Sequence, residues 1–432
     1  MHIGVYGTGY LGTVVSACLA DFGLPVTCYD RDEIRIARLH QGQLPFCEKN
    51  LTDMVRRNVR VGRLTYTTEL AHFTHRADIF YLAADSHRQI DEAADEIASG
   101  ARPRSIVVIA TPVPVGTAVR IEQRLQETGH NLQVVAQPMF LTDGCAIEDF
   151  NWPDRIVLGT TSNEAVFTLK QIYRPLIMRG VPVIVTNPST AELVREAATA
   201  YLATKVAFIN EIASLCEGVQ ADAVDLALAL GLDRNIAPRC LQPGTAFGGP
   251  FVETQMDSLA QLAVRHGQGL KVLAAAREVN ATISDRMAEK ITTLLHNVPG
   301  KEVGILGLAF KPHTNSVAQS SAVQLARRLT ALGAHVRAYD PVAIPEARQE
   351  LNGSVKYCET AYAAAEGSDA LVVGTGWPEF RDLDFDRIKR SLKRALIVDT
   401  KNLLDSTRLR AMGFEYVGVA FSRAGGPRPP LL

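Results

Sequence analysis

The 432-residue sequence contains no C-x-x-C pair and no His-x-x-x-His spacing; its seven Cys and ten His are scattered. That distribution gives no metal-ligand signature. The odd set of thiols (Cys18, Cys28, Cys47, Cys145, Cys216, Cys240 and Cys358) suits a reduced, cytoplasmic protein. An uninterrupted apolar run of membrane-spanning length is also missing, so no membrane span is expected. The chain opens on the strand-like "MHIGVYG", so a basic segment followed by an apolar leader is not expected. Excess charge is absent too: the formal net charge is −1. Neither nucleic acid nor an anionic membrane surface is therefore an expected partner.

What is present is ordinary for a globular enzyme: 47% hydrophobic and 21% charged residues. The length exceeds what one core normally supports and predicts two or three domains. The first segment reads strand, glycine turn, helix, strand: "HIGVYG", Gly7-x-Gly9-x-x-Gly12, "TVVSACLADFG", then "PVTCYD" ending at Asp30. With Tyr10 and Leu11 inside the turn, this is a dinucleotide fingerprint. Its glycines allow a tight turn, close approach of backbone to a pyrophosphate, and close helix–strand packing. The helix N-terminus offers free N–H groups to phosphates. Asp30 stands where an acid would meet the adenosine ribose hydroxyls and disfavour a 2′-phosphate, which points to NAD. A Rossmann-like domain with an empty crevice is the alternative.

Strand–helix alternation continues through "ADIFYLAA", "RSIVVIATPVPVGT", "LQVVAQPMFL", "DRIVLGTT" and "PVIVTN". A long helical stretch follows, "NPSTAELVREAATAYLATKVAFINEIASLCEGV", with Ser189-x-x-Glu192 reading as a capping box after a proline. Helices run on to about residue 300. A second α/β unit begins at "KEVGILGLAFK" and carries a later acid, Asp340, but lacks the three-glycine fingerprint. The expected fold class is α/β: two Rossmann-like doubly wound domains joined by a central all-helical segment with a long helix. The expected boundaries are 1–188 for the dinucleotide-binding domain, 189–300 for the central helical segment, 301–425 for the second Rossmann-like domain, and 426–432 for a flexible tail.

Several motifs in one order carry a resemblance: "GTGYLG", "PVPVGT", "FLTDGCAIEDFNWPDRIVLG", "AELVREAATAYLATKVAFINEIA", "GLDRNIAPRCLQPGTAFGG", "GILGLAFKPHT" and "YDP". Over nearly its whole length the chain resembles the UDP-glucose/GDP-mannose 6-dehydrogenases. The resemblance implies NAD as cofactor, a nucleotide sugar as ligand, two successive oxidations of the sugar C6 alcohol to a uronate, and a homodimer built on the central helix. It also implies substrate contacts from Phe140, Leu141, Arg239, Gly248, Gly249, Phe310 and Lys311. Plainer readings stay open: a turn for Gly248 and Gly249, core for Phe310, and solvated charges for Lys311 and Arg239.

The departures fall on the positions the resemblance would make catalytic. Phe251 stands where the family has its thiohemiacetal-forming cysteine, and phenylalanine has no nucleophilic atom. Thr254 and Gln255 replace a Lys-Asp pair, while Arg195 and Thr199 replace a Lys and an Asn one helical turn apart. Met139 and Asp143 replace two glutamates, Pro112 a threonine, and Ala318 an arginine; the loop at "SHRQID" looks shortened. Arginine stays protonated, so Arg195 can hold an anion but cannot serve as a base. A salt bridge between Asp143 and Arg195 is expected across this region. His87, Arg88 and His313 are the remaining nearby candidates for acid–base work. The loop "FGGPFVETQMD" thus keeps the form of a catalytic loop without its reactive groups, and Asp257 is its one late acid. Three outcomes are compatible: a redirected oxidoreductase, a pseudoenzyme that senses a nucleotide sugar or pairs with an active partner, and a non-redox enzyme on the same scaffold.

Overall fold

The structure, a computed structural model, describes residues 1–84, 86–127, 129–249 and 252–419. Phe251, the side chain of His87 and the expected tail at 426–432 lie outside that set. The chain forms two compact units, residues 1–198 and 199–432.

The first unit contains β1 (Ile3–Tyr6), β2 (Val26–Tyr29), β3 (Leu64–Thr67), β4 (Ile79–Leu82), β5 (Ile106–Ile109), β6 (Gln133–Ala136), β7 (Ile156–Gly159) and β8 (Val183–Thr186). They form one sheet in the order β3-β2-β1-β4-β5-β6-β7-β8. Neighbours are parallel except at β6–β7, which meet antiparallel at Ala136 and Gly159. The runs "IGVY", "IFYL" and "IVVI" are buried at every residue. Continuous apolar strands of this kind are required where helices cover both faces of a parallel sheet. Alternation decides the face: Ile79 and Tyr81 join one core, and Phe80 and Leu82 the other.

The second unit holds β9 (Glu302–Leu306), β10 (His335–Tyr339), β11 (Val355–Tyr357), β12 (Ala370–Val373), β13 (Leu396–Asp399) and β14 (Glu415–Gly418). They make an all-parallel sheet in the order β11-β10-β9-β12-β13-β14. Before it run the helices Ala223–Gly231, Val252–Arg265 and Lys271–Leu295. Two Rossmann-like sheets and an intervening helical stretch are the fold class expected from the sequence. Among the described residues, no helix is long and apolar enough to cross a membrane.

The long helix spans Pro188–Val219, and its start corrects one expectation. Ser189 lies inside the helix and does not cap it. Asn187 Oδ1 instead accepts from the Thr190 N–H at 2.8 Å. Pro188 fits the first helical position because it has no N–H to satisfy. Glu192 is thereby freed from a capping box and reaches another segment of the first unit.

Candidate functional site

In the first unit the glycine turn packs backbone on backbone. Gly7 has φ +97°, and a Cβ there would lie 2.5 Å from the Ala83 carbonyl oxygen. A Cβ on Gly12 would lie 2.0 Å from the Gly7 carbonyl oxygen. The helix Tyr10–Asp21 begins at Gly9 with no side-chain cap, which leaves its first N–H groups without a capping side chain. Asp30, at the end of β2, accepts from the Thr8 N–H (2.9 Å) and hydroxyl (2.6 Å) through Oδ2, and from the Asp32 N–H through Oδ1. Arg35 pairs with it at 3.2 Å. Burial pushes the Asp30 carboxyl up, but the Thr8 and Asp32 hydrogen bonds and Arg35 outweigh it and hold the group below its ordinary value. An uncapped helix end, two glycines that no side chain could replace, and an ionised acid at the strand end fit NAD.

Sequence reasoning missed Glu48. Its buried carboxylate accepts from the Tyr10 hydroxyl and from the N–H groups of Gly144 (2.6 Å) and Ala146 (3.0 Å). It therefore ties the glycine turn to the loop after β6, which carries Met139, Phe140, Leu141 and Asp143. No local pattern in "LPFCEKN" signals this, because its partners are distant backbone groups. On that loop Met139 is buried in the core and Leu141 packs against the same core. Phe140 lies under the Arg155 guanidinium, 3.9 Å from the ring centroid. Leu11 also packs on this core.

At the ends of β5 and β6 a small pocket is lined by Thr111, Pro112, Gln137 and Pro138 together with Glu192, Arg195 and Glu196 of the long helix. Glu192 accepts from the N–H groups of Gly116 (2.6 Å) and Ala118 (2.8 Å) at the start of the helix Thr117–Glu127. Burial raises its carboxyl above the ordinary value despite those bonds. Burial lowers Arg195 to about 10, against the opposing charge of Asp143. No salt bridge between Asp143 and Arg195, the pairing expected from the sequence, is found among the described residues; Asp143 acts on Arg195 through its charge. Arg195 Nε itself has no hydrogen-bond partner among the described residues.

In the second unit, two positions singled out in the sequence meet. The Thr199 hydroxyl donates to Gln255 Oε1 at 2.7 Å, and Gln255 is only 5% exposed. Asp257 is held by Arg277 at 2.7 Å, which also contacts Glu253 at 3.2 Å, so the loop's one late acid is an ion-pair partner. Thr254 is exposed on the same helix. Gly249 has φ +106°, and a Cβ there would lie 2.8 Å from the Phe310 ring; one on Gly248 would lie 2.3 Å from the Gln319 carbonyl oxygen. Lys311 Nζ lies 5.5 Å from the Phe310 ring centroid. Gly248, Gly249, Phe310 and Lys311 therefore gather in one place, whereas Arg239 stands on an exposed loop. His313 makes an edge contact with Trp377 at 5.5 Å, and Arg88 is exposed. Ala318 is partly buried beside Gln319. Lys401 donates to the Thr245 hydroxyl, and burial lowers it to about 8 against the pull of Asp399.

Comparisons with known proteins agree along the whole chain. Residues 1–177 match the NAD binding domain of the UDP-glucose/GDP-mannose dehydrogenase family, 189–282 its central domain, and 304–406 its UDP binding domain. The UDP-glucose 6-dehydrogenase TuaD of Bacillus subtilis is 36% identical over 439 residues, 99% of this chain and 95% of that protein. A UDP-glucose 6-dehydrogenase of Rhizobium meliloti is 36% identical over 434 residues, 97% of this chain and 99% of its own length. Among solved structures, a UDP-glucose dehydrogenase from the archaeon Pyrobaculum islandicum superposes with a TM-score of 0.88 at 29% identity, covering 98% of both chains.

Proposed function

The chain belongs to the UDP-glucose/GDP-mannose dehydrogenase family, and we propose that it binds NAD and a nucleotide sugar without carrying out the two-step oxidation of a sugar alcohol to a uronate. The observation that carries this reading is the Thr199–Gln255 hydrogen bond. Two positions that the resemblance would give to catalysis satisfy each other inside the protein, and neither side chain can act as a base. Phe251 offers no nucleophile for an aldehyde. Arg195, even at about 10, stays charged at neutral pH and cannot take a proton from a hydroxyl. Met139 is a buried core side chain. When bound, NAD supplies a hydride acceptor.

A single hydride transfer needs no cysteine, and the intact turn from Gly7 to Gly12 favours a redirected oxidoreductase as the second reading. The homodimer belongs to the proposal as well. Tyr201, Phe208 and Leu215 recur every seven residues on the long helix with exposures of 63%, 49% and 61%, an apolar stripe suited to a second copy. A cytoplasmic site of action goes with the same reading.

The test incubates the full chain with NAD and UDP-glucose, following NADH by absorbance and the sugar by chromatography. No uronate is expected, and the single variant Phe251→Cys is expected to stay inactive because its partner positions are also changed. Uronate appearing together with NADH at rates usual for enzymes would sink the reading. Sedimentation of the wild type should give a dimer that Phe208→Asp weakens.

A further inference from the structure

Two arginines flank Asp30 in the first unit, and both are engaged by carboxylates. Arg35 pairs with Asp30 at 3.2 Å and with Asp32 at 3.8 Å. Arg31 turns the other way, to the helix Ile90–Ala98. Its Nη2 donates to Glu92 Oε1 at 2.8 Å and also to Glu96 Oε1. Glu96 is itself fixed by the Tyr6 hydroxyl, which donates to its Oε2 at 2.7 Å. Glu92 and Glu96 stand one helical turn apart, so one guanidinium can meet both. Arg31 follows β2 and its partners follow β4, while β1 lies between those strands in the sheet. The bridge therefore crosses the carboxyl end of β1, at the switch point where a doubly wound sheet takes a dinucleotide.

Asp30 alone is a weak bar to a 2′-phosphate. Its Oδ2 already takes the Thr8 N–H, the Thr8 hydroxyl and Arg35, which leaves acceptor capacity mainly on Oδ1. Arg35 also offsets its charge. In sheets of this kind an arginine near the acid is what accommodates the 2′-phosphate of NADP, and Arg31 is the next residue along the chain. The two glutamates hold it away from that task. Over the linked ion pairs, Asp30, Asp32, Glu92 and Glu96 face Arg31 and Arg35, a net charge of −2. Changing both glutamates to glutamine brings that net charge to zero and releases a forked donor that matches phosphate.

We propose that Glu92 and Glu96 are positioning residues that set cofactor specificity: by holding Arg31 they keep it from a 2′-phosphate and make the site one for NAD and not NADP. This rests on the NAD reading above. The choice of dinucleotide is thus made by the helix after β4 as well as by the acid at the end of β2. Arg31 and Glu92 are half-exposed, at 49% and 59%, so the effect is moderate and screened by salt.

The test is calorimetric titration of the full chain with NAD and with NADP. The wild type should bind NAD about tenfold or more tightly than NADP. In the double variant Glu92→Gln, Glu96→Gln the ratio of the two affinities should move about tenfold toward NADP, and salt at about 0.5 M should erase most of that gain. Adding Arg31→Met to the double variant should remove the gain, because the released guanidinium is its source. NADP bound as tightly as NAD by the wild type overturns the proposal and leaves dinucleotide binding intact. So does an unchanged ratio in the double variant, or a gain that survives Arg31→Met and so comes from lost negative charge alone. If neither dinucleotide binds the wild type, the NAD reading falls and the proposal falls with it. Should the double variant fail to fold, the more exposed Glu92→Gln decides by itself: a shift of about threefold toward NADP is expected, and none overturns the proposal.

Discussion

The two sheets share one topology at their first turn, yet the acid that ends the second strand of each does opposite work. Asp30 keeps a solvent-facing side, with hydrogen bonds from Thr8 and Asp32 and a pairing with Arg35. Asp340 is 2% exposed and accepts from five donors: the N–H groups of Leu308 (2.7 Å), Ala309 (3.0 Å), Val342 (2.9 Å) and Ala343 (2.8 Å), and Trp377 Nε1 (3.2 Å). A carboxylate so occupied has little capacity left for a ligand. The helices that follow differ in the same way. Gly9 leaves the first helix uncapped, whereas the Ser320 side chain caps the helix Ser321–Ala331 by accepting from the Val323 N–H. In the second unit the Leu308 and Ala309 N–H groups are taken by Asp340 and that of Val323 by Ser320. One topology thus yields a dinucleotide turn where the helix end is left open and a structural turn where it is closed.

The largest expected effect comes from breaking the closed turn. Asp340→Ala leaves buried donors unmatched and should cost about 3–5 kcal/mol, read as a drop of several degrees in melting temperature by calorimetry. A change within experimental error would mean that water replaces the carboxylate. Gly12→Ala attacks the open turn, since its Cβ would meet the Gly7 carbonyl oxygen. It should abolish the stabilisation by NAD, about 2.7 kcal/mol at a hundred times the dissociation constant, while stabilisation by a nucleotide sugar persists.

Asp30→Asn should weaken NAD about tenfold and narrow its margin over NADP with little change in melting temperature. A loss of stability matching that of Asp340→Ala would erase the contrast between the two acids. A pH dependence in the second unit adds a further contrast. Burial holds Lys401 at about 8, below its ordinary 10.5. Between those values the unfolded chain binds more protons, so the folded state gains stability as pH rises from about 8 to about 10.5. Urea unfolding at pH 8 and pH 10 should register that gain in the wild type and lose it in Lys401→Met; identical pH responses would mean that the ammonium stays charged.

Some of this was legible along the chain because the governing physics is local. Gly7, Gly9 and Gly12 declare a turn whose backbone must pack tightly, and Asp30 ends the next apolar strand at the spacing a ribose requires. The apolar runs of β1, β4 and β5 declare a sheet covered on both faces. The capping box was a local pattern too, and it misled: Pro188 and Asn187 start the helix instead, and Glu192 binds Gly116 and Ala118. Glu48, Gln137 and Gln255 carry no local signal, because the groups they meet lie far off in sequence.

The sequence by itself determined the class of fold, the dinucleotide turn and the want of a nucleophilic atom in Phe251, since each follows from the chemistry of the residue and its immediate neighbours. Only the tertiary structure decided which remaining polar groups are satisfied. Thr199 and Gln255 pair off, Asp340 is enclosed by five donors, and Arg195 and Gln137 are left with buried atoms facing a small pocket. Hydrogen-bond satisfaction is a property of what folding brings within three ångströms or so, and residues far apart along the chain acquire it only when the sheets and the long helix have formed.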